Sequence, residues 1–472
     1  MPCRSGLPRN LLLRPQSVWA TASSELETLR SFVTDPGDCV DLSLDLYVDL
    51  GGIAMKPFLF AAVTGAIASS AAAQDQTVEV AMHYTAEQAA PLLACFDRYE
   101  EANPGTSITY QQLSYRDYLQ TVLTSRIAGQ APDIYNVYSI WAAQMVDNGV
   151  LAEMPDDLAT YVRDTYAGGT VDAATIDGTL WGVPTEVSVY MLVSNMALLR
   201  EAGIEEPPTT WEGLREAAEA VTTRNDQGRI ETAGFAFAES SSGAGVVHPY
   251  YALTFSKGQD IYSDDYSEAN LVSEASVESA RQLAALVADG MTDRTVDAYD
   301  DFPAGGVGMM IMANWYESAI REGLGDRFED VVVSQIPAGE DWRTMQYAFF
   351  MGVDSGSDVS EAAWDVVRYA NSAESAAEEG GPSCVGEMMN KLGALTANDA
   401  DNAALGDPDA FTAPFQEALT DRAISQPNVL QASEIEGLIA QTLDTVIAGE
   451  AEAAPAMEDL NTQVEDILFE FY

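Results

Sequence analysis

The chain has 472 residues, with 22 Lys and Arg against 74 Asp and Glu, which gives a formal net charge of −52. This excess of acid excludes the basic surface that nucleic-acid binding requires, and it disfavours attachment to an anionic membrane surface. Because 47% of the residues are apolar and 9% are aromatic, the acidity does not indicate a disordered chain, and the length predicts two or three domains.

A recognisable sorting signal begins at Met55. This methionine and the lysine after it precede a short apolar run, which ends in a small-residue site just before Gln74. The layout is that of a secretory signal peptide, and the apolar run is shorter than the ~20 residues that a membrane-spanning helix needs. We therefore expect a signal peptide over 55–73, cleaved after Ala73, and a misassigned, disordered N-terminal extension over 1–54.

The mature chain is then expected in the periplasm, without a lipid anchor, because Gln74 and not a cysteine would be its first residue. Its only cysteines are Cys95 and Cys384, and neither belongs to a CxxC or Cys/His cluster. We therefore expect no metal site and no cofactor. In an oxidising compartment the two thiols could form a disulfide, or they could be two unrelated buried apolar positions.

Strands and helices alternate at the start of the mature chain. Hydrophobic periodicity predicts strands over 77–83, 107–112 and 132–138, separated by helices over 89–101 and 115–128. This alternation predicts a parallel sheet, in which ligands bind at the carboxyl ends of the strands. The side chains that this rule places at the rim are His83, Tyr84, Tyr115, Tyr138 and Trp141.

The remainder of the chain predicts a second unit of the same type. A strand over 187–193 precedes a helix over 195–202, and Thr210 is suited to cap a helix that runs through 214–221. A short loop over 240–245 then leads to an aromatic group that contains both His248 and Tyr250. The elements expected after it are helices over 277–288, from 318 onward, over 359–370 and over most of 433–471, with strands over 308–312, 331–335 and 346–353.

Eight segments stand out in order along residues 77–470. They read NPGTSITY, YRDYLQTVLTSRIAGQAPDIYNV, DNGVLAEM, DGTLWGVPTEVSVYMLVSNMALLREAGIEEPPTTWEGLREAAEAV, GGVGMMIMANWYESAI, VVVSQIPAG, YAFFMGVDSGSDVSEAAWDVVRYA and PAMEDLNTQVEDIL. Together they resemble the periplasmic solute-binding proteins of ABC importers, specifically the sugar-binding family that is similar to maltose-binding protein. Each segment alone is weak, and the ordered series carries the resemblance.

The resemblance implies an α/β fold of the two-lobed, type II periplasmic-binding kind. Each lobe would be a mainly parallel sheet flanked by helices, with the ligand cleft at the hinge between the lobes. By similarity, the first lobe takes 74–185 plus 347–392, and the second takes 186–346 plus 393–472. Cys95 and Cys384 then fall in the same lobe, which favours a disulfide between them.

The resemblance also implies a carbohydrate site. Sugars need aromatic platforms for their C–H faces and polar or charged side chains for their hydroxyls. To the rim residues above, the resemblance adds Glu186, Tyr190, His248, Tyr250, Asn314, Trp315, Glu317, Phe349 and Phe350. Trp315 best matches the family's stacking position, whereas the chain's only histidines, His83 and His248, are also compatible with structural roles.

The function that the resemblance implies is that of the substrate-binding component of an ABC-type carbohydrate importer. Such a monomer would capture a sugar or oligosaccharide by hinge closure and deliver it to permease subunits in the inner membrane, which work with a separate ATPase. One alternative is a binding protein for a polyol or an amine. The other is a secreted, glycoside hydrolase-like enzyme, which is disfavoured because the common catalytic motifs are absent and so many acids make carboxylate pairs uninformative.

Overall fold

The structure is a computed structural model, and it describes residues 76–166, 168–238, 245–263 and 265–471. The expected N-terminal extension over 1–54 and the expected signal peptide over 55–73 lie outside the described residues. Within the described part, none of the helices combines the length and the apolar character that crossing a bilayer requires.

The described chain contains strands and helices of mixed order. The strands are β1 (Gln76–Met82), β2 (Thr106–Gln112), β3 (Ile134–Tyr138), β4 (Thr175–Ile176), β5 (Thr179–Leu180), β6 (Val183–Asn195), β7 (Thr223–Arg224), β8 (Ile230–Phe235), β9 (Val307–Ala313), β10 (Val331–Ser334), β11 (Thr344–Val353), β12 (Leu395–Thr396) and β13 (Ala423–Ser425). The helices are α1 (Ala90–Ala102), α2 (Tyr118–Ile127), α3 (Ser139–Asp147), α4 (Asp156–Thr165), α5 (Gly168–Ala173), α6 (Met196–Glu201), α7 (Trp211–Val221), α8 (Val247–Phe255), α9 (Glu274–Ala288), α10 (Ala298–Ala304), α11 (Glu317–Leu324), α12 (Ser360–Ala370), α13 (Cys384–Leu392), α14 (Asp399–Leu405), α15 (Ala413–Asp421), α16 (Ala432–Ile447) and α17 (Ala453–Phe471).

Two long strands connect two groups of shorter ones. The strand order is β2-β1-β3-β11-β6-β9-β8-β7, and β10, β12 and β13 pair alongside this path. The first part of β6 pairs with β11, where Val189 lies opposite Gln346, and the last part pairs with β9 and β10, where Val193 lies opposite both Met310 and Val333. Strand β6 therefore belongs to both groups, as a chain crossing between two lobes requires.

The sheets are more mixed in direction than the sequence predicted. Strand β1 pairs in parallel with β2 and β3, and β8 pairs in parallel with β9. The pairs around β6 and β11 are antiparallel, with the exception of the short parallel pair between β11 and β13. Helical crossovers keep neighbouring strands parallel, whereas β6 and β11 run across the molecule in opposite directions and therefore pair antiparallel.

Strand β6 is buried along all of its 13 residues. Val189 and Val193 contribute to one hydrophobic cluster, and Tyr190 and Leu192 contribute to another. Successive side chains of a strand point to opposite faces, so both faces of β6 are covered by other elements. This explains why the sequence over 189–193 shows a continuous apolar run in place of an alternation.

The N-terminus of α7 forms as the sequence predicted. The Oγ1 atom of Thr210 accepts a hydrogen bond from the Gly213 N–H at 3.1 Å, which satisfies one of the free amide groups of the first turn. The cap at Thr210 is thereby confirmed. The aromatic group after the predicted loop, in contrast, forms the helix α8, in which every residue is buried. A helix that is apolar on all sides has no amphipathic period, so the sequence does not reveal it.

A buried ion pair joins the end of α2 to the turn after β11. The guanidinium of Arg126 contacts both carboxylate oxygens of Asp354, whose side chain is only 4% exposed. The Tyr135 hydroxyl donates a third hydrogen bond to this carboxylate at 2.7 Å. Because the carboxylate is buried, these partners are required to offset the loss of its hydration.

A disulfide joins α1 to α13, between Cys95 and Cys384. The two Cα atoms are 6.0 Å apart, the residues are separated by 289 positions in the sequence, and both side chains are buried. The crosslink therefore ties the first helix of the described chain to a helix that follows β11. The lobe boundaries given above remain a prediction, and β6 and β11 each run across one of them.

Candidate functional site

A cavity of about 230 Å³ lies between β6, β11 and the segments that follow β1, β2 and β9. Its wall is mostly aromatic, and it also includes two histidines and one carboxylate. The lining residues are His83, Tyr84, Gln88, Tyr115, Glu186, Tyr190, His248, Tyr299, Trp315, Tyr347, Phe349 and Leu392. The volume is somewhat below the ~300 Å³ at which typical ligand pockets begin, so the cavity suits a small solute.

Most of the side chains predicted for the site lie in this wall. The predicted residues that the structure brings together here are His83, Tyr84, Tyr115, Glu186, Tyr190, His248, Trp315 and Phe349. His83 and Tyr84 directly follow β1, as expected for ligand positions at the carboxyl end of a parallel strand. Contact of these residues with a solute remains a prediction.

Tyr138 and Trp141 lie behind the wall and do not form part of it. The Tyr138 hydroxyl donates to Oε1 of Gln426 at 2.5 Å, and the Tyr138 ring packs against Phe349. Trp141 stacks on Tyr118, with ring centroids 5.0 Å apart. Both were expected at the rim, but α3 begins at Ser139, directly after β3, and its first turn directs Trp141 into the core.

Asn314 was also expected to contact the solute, but its side chain forms hydrogen bonds with the backbone of β6. Its Oδ1 accepts from the Val189 N–H at 2.9 Å, and its Nδ2 donates to the Val187 carbonyl at 3.3 Å. The side chain is fully buried between β6 and the end of β9. It therefore positions the next residue, Trp315, at the cavity.

Two aromatic residues point away from the cavity because of the geometry of their elements. Phe350 follows Phe349 on β11, and successive strand side chains face opposite sides, so Phe350 enters the core. Tyr250 lies two positions after His248 on α8, which is more than half a helical turn, and its hydroxyl pairs with Ser276. Neither lines the cavity, so the structure does not place them where the sequence predicted.

Glu317 lies at a second, polar cavity of about 260 Å³, which is also lined by Asn390 and Gly393 at the end of α13. Its carboxylate contacts Arg321 one helical turn later, and it accepts a hydrogen bond from the Thr412 hydroxyl at 3.3 Å. The family resemblance made Glu317 a candidate, because it lies in the same segment as Trp315. The helix α11, however, turns its side chain away from the aromatic wall.

The sequence reasoning missed Gln88, Tyr299, Tyr347 and Leu392. Tyr347 could have been found, because it lies two positions before Phe349 on a predicted strand and therefore on the same face. Tyr299 lies on the short helix α10, which showed no periodicity in the sequence. Leu392 lies at the end of α13, which tertiary packing alone brings to the cavity.

Glu186 provides the carboxylate of the cavity, and it is only 3% exposed. Its Oε2 accepts from the Tyr84 hydroxyl at 2.5 Å, and its Oε1 accepts from the Ser188 hydroxyl at 2.7 Å. Burial raises the pKa of Glu186, and these two hydrogen bonds oppose the rise. Burial also raises the pKa of Tyr84 well above its usual value, so the tyrosine is the proton donor of the pair.

His83 presents a neutral ring to the cavity. The amide nitrogen of Asn136 lies 2.9 Å from Nδ1, and since an amide nitrogen can only donate, Nδ1 is the acceptor and Nε2 carries the proton. Burial lowers the pKa of His83 to about 3, so the ring is uncharged at neutral pH. The ring packs on Phe349 at a centroid distance of 4.7 Å.

His248 belongs to a chain of hydrogen bonds that leads away from the cavity. Because Tyr138 donates its proton to Gln426, the Tyr138 oxygen is the acceptor for Nε2 of His248 at 3.3 Å. The other ring nitrogen, Nδ1, lies 2.8 Å from the Tyr190 hydroxyl oxygen. Gln426 in turn donates to Glu436 at 2.7 Å, so the chain connects β6, α8, β3 and α16.

Trp315 forms part of the wall near Tyr299, with ring centroids 6.0 Å apart. Its Nε1 is buried and finds no acceptor among the described residues. An unsatisfied buried donor costs about 1–3 kcal/mol, so an acceptor supplied by a bound molecule would be favourable here.

The chemistry of the wall suits the binding of a small, polar solute that also has apolar faces. Aromatic rings offer apolar platforms, and the carboxylate and the neutral imidazole offer an acceptor and a donor. Among the described residues, no group of three His, Cys, Asp or Glu side chains is placed to hold a metal ion.

Solved structures show which class of protein has this fold. The GacH receptor of Streptomyces glaucescens, solved without ligand and with acarbose, has a TM-score of 0.71 and is 20% identical, covering 84% of this chain and 100% of that protein. An ABC substrate-binding protein of Listeria monocytogenes in complex with cycloalternan has a TM-score of 0.69 and is 19% identical over 84% of this chain. The fold is therefore the two-lobed fold of the periplasmic binding proteins, as predicted.

Sequence relatives lead to the same class. A protein of Brucella abortus (strain 2308), named as a binding protein, is 27% identical over 316 residues, which are 64% of this chain and 74% of that protein. An arabinooligosaccharide-binding protein of Halalkalibacterium halodurans is 24% identical over 232 residues, 46% of this chain and 49% of that protein. Residues 84–377 match the model of the bacterial extracellular solute-binding proteins, and the chain belongs to this family. The family expected from the ordered sequence segments is thereby confirmed.

Proposed function

We propose that the protein is the substrate-binding component of an ABC-type importer for carbohydrates. In this role it captures a sugar or a short oligosaccharide and delivers it to permease subunits in the inner membrane. The observation that carries the proposal is the aromatic cavity, in which the carboxylate of Glu186 and the neutral ring of His83 accompany seven aromatic side chains.

Sugar chemistry matches this wall. The C–H face of a pyranose packs on rings such as Trp315 and Phe349, and its hydroxyls pair with Glu186 and with the Nε2–H of His83. A hydroxyl oxygen would also be an acceptor for the unsatisfied Nε1–H of Trp315. The names of relatives support the same solute class, since one of them is an arabinooligosaccharide-binding protein and structural neighbours were solved with acarbose and cycloalternan.

The proposed mechanism is hinge closure. With lobes over 74–185 plus 347–392 and over 186–346 plus 393–472, His83 and Tyr84 belong to the first lobe, whereas Tyr190, His248 and Trp315 belong to the second. A solute that contacts both sets binds the closed form better than the open form and therefore shifts the population toward closure. X-ray scattering should show a smaller radius of gyration with saturating solute, and an unchanged radius would refute the closure.

A thermal-shift screen tests the solute class. The purified mature protein is heated with single members of a library of monosaccharides, oligosaccharides, polyols and amines, and positive results are repeated by calorimetry. A carbohydrate at about 100 times its Kd should stabilise the protein by about 2.7 kcal/mol. The proposal fails if no carbohydrate raises the melting temperature while a solute of another class does.

The proposal includes the absence of catalysis. The family is one of binding proteins, and the carboxylate of the cavity faces aromatic rings, with no second carboxylate among the described residues that line the wall. Incubation with the stabilising carbohydrate, followed by chromatography, should return the solute intact. Product formation in proportion to protein concentration would favour a glycoside hydrolase instead.

We also propose that the protein is secreted to the periplasm by a signal peptide that begins at Met55 and is removed after Ala73. Mass spectrometry of the protein from a periplasmic extract should then find Gln74 at the N-terminus. A mature chain that retains residues before Met55 would refute this processing.

A further inference from the structure

The carboxylate of Glu186 differs from the other buried carboxylates of the described chain in lacking a positive counterpart. Asp354 pairs with Arg126, and Glu317 pairs with Arg321. Asp401 accepts from the N–H and the hydroxyl of Ser383 at the start of α13, where the helix dipole is positive. Glu186, in contrast, has two neutral hydroxyl donors and an open cavity in front of it.

The hydrogen bonds of Glu186 favour its ionised form. Tyr84 and Ser188 each donate to one carboxylate oxygen, so both oxygens act as acceptors. Each oxygen keeps a further lone pair, which is available to a molecule in the cavity. Among the described residues that line the cavity, none is a lysine or an arginine.

The surroundings of the cavity add to its negative potential. The rings of Tyr84, Tyr115, Tyr190, Tyr299, Trp315, Tyr347 and Phe349 form most of the wall, and the face of an aromatic ring attracts cations. A second carboxylate, Glu436, lies 3.9 Å from His248 behind the wall. The chain as a whole carries a formal charge of −52, which favours the approach of cations over that of anions.

We propose that the solute carries a positively charged nitrogen and that Glu186 is the residue that selects it. The solute also offers oxygen acceptors, because the buried Nε1–H of Trp315 has no acceptor among the described residues, and the Nε2–H of His83 is a further donor at the wall. These two requirements together describe an amino sugar of one ring, which also fits a cavity of about 230 Å³. The inference rests on the proposed function, because it assigns the charge of the solute within the same cavity.

Matched monosaccharides test the charge directly. The wild-type protein is titrated with glucose, galactose and mannose, each as the parent sugar, the 2-amino sugar and the 2-acetamido sugar, with choline as a cation without a sugar ring. A pH of about 6.5 keeps the amines largely protonated. We expect the amino sugar of at least one series to bind tenfold or more tightly than its parent, and the neutral acetamido sugar to lose this advantage.

Each outcome decides between the two proposals. If the parent sugar binds as tightly as the amino sugar in every series that binds, the inference is overturned and the proposed function stands. If choline binds and no sugar does, the preference for a cation is supported and the assignment to an amino sugar is overturned. If none of the probes binds, the inference is overturned, and the proposed function is decided separately by the library screen, which includes oligosaccharides.

The variant Glu186→Gln assigns the selectivity to one side chain. The amide keeps the size of the side chain and an acceptor for the Tyr84 hydroxyl, but it removes the charge. The ratio between the affinities for the amino sugar and for its parent sugar should fall to about one. The matched control is Glu100→Gln, a carboxylate outside the cavity that accepts from the Ile108 N–H, and it should leave the ratio unchanged. A ratio that persists in Glu186→Gln overturns the assignment to this residue.

Discussion

Removal of the crosslink between Cys95 and Cys384 should destabilise the protein by several kcal/mol. Both residues are buried, one in α1 and the other in α13, and the bond closes a loop of 289 positions. A crosslink restricts the unfolded chain more strongly when its loop is longer. The perturbation is the double variant Cys95→Ala with Cys384→Ala, compared with the oxidised wild type.

The magnitude follows from the length of the loop. For a separation of 289 residues, the loop-closure entropy corresponds to about 5–6 kcal/mol at 25 °C. Measured effects of natural disulfides are smaller than this limit and reach about 2–5 kcal/mol, because the reduced chain keeps some residual structure. We therefore expect the free energy of unfolding to fall by about 2–5 kcal/mol.

Urea titration followed by tryptophan fluorescence measures this change. The oxidised wild type, the reduced wild type and the double variant are compared, and the reduced wild type controls for the packing of the two sulfur atoms. Reduced wild type and double variant should agree within about 1 kcal/mol. The reasoning is refuted if both unfold at the same urea concentration as the oxidised protein, or if native protein contains two free thiols.

Three further changes test other parts of the structure. Trp315→Ala should weaken binding of the solute found in the thermal screen at least tenfold, or about 1.4 kcal/mol by calorimetry, and an unchanged affinity would remove this ring from the site. Arg126→Ala should lower the free energy of unfolding in urea by about 1–3 kcal/mol, because it leaves the buried Asp354 without its cation. The control is Arg200→Ala, which breaks an exposed ion pair and should change this free energy by no more than about 0.5 kcal/mol. Equal losses in the two variants would contradict the role of burial. Burial raises the pKa of Glu186, so the carboxyl group binds protons more strongly in the folded state than in the unfolded chain. Above this raised pKa the buried, ionised side chain lowers the free energy of unfolding. The loss becomes smaller as the pH falls toward the usual pKa of 4.5. Glu186→Gln should therefore raise the melting temperature of the ligand-free protein by about 1–3 °C at about pH 8 and by less at about pH 5, and a larger gain at the lower pH would contradict this.

The order of elements was predictable where local patterns carry it. The strands β1, β2 and β3 and the helices between them follow from hydrophobic periodicity, and Thr210 caps its helix as its side chain suggests. The extent of β6 was not predictable, because Glu186 and Ser188 interrupt the apolar run although the strand continues through both. Their polar groups are satisfied by each other and by Tyr84, which only the folded structure brings near.

The members of the site were predictable by type more than by orientation. An aromatic, acidic and histidine-containing wall was expected, and the wall has this composition. Successive side chains of a strand face opposite sides, and the sequence does not show which side of β11 faces the cavity. In the structure Phe349 lines the cavity and Phe350 does not. The family resemblance implied that Asn314 contacts the solute, but a polar side chain that is buried beside two strands hydrogen-bonds to their backbone groups.

The position of β11 between β3 and β6 has a consequence for the protein during its synthesis. During synthesis, β1, β2 and β3 emerge early, but the strand that covers the open side of β3 is not made until the ribosome has passed residues 139–343. Until then the exposed strand β3 offers unpaired amide and carbonyl groups to any neighbouring chain. We therefore expect the nascent chain to be exposed to such contacts for a longer part of its synthesis than a protein whose lobes are contiguous in sequence.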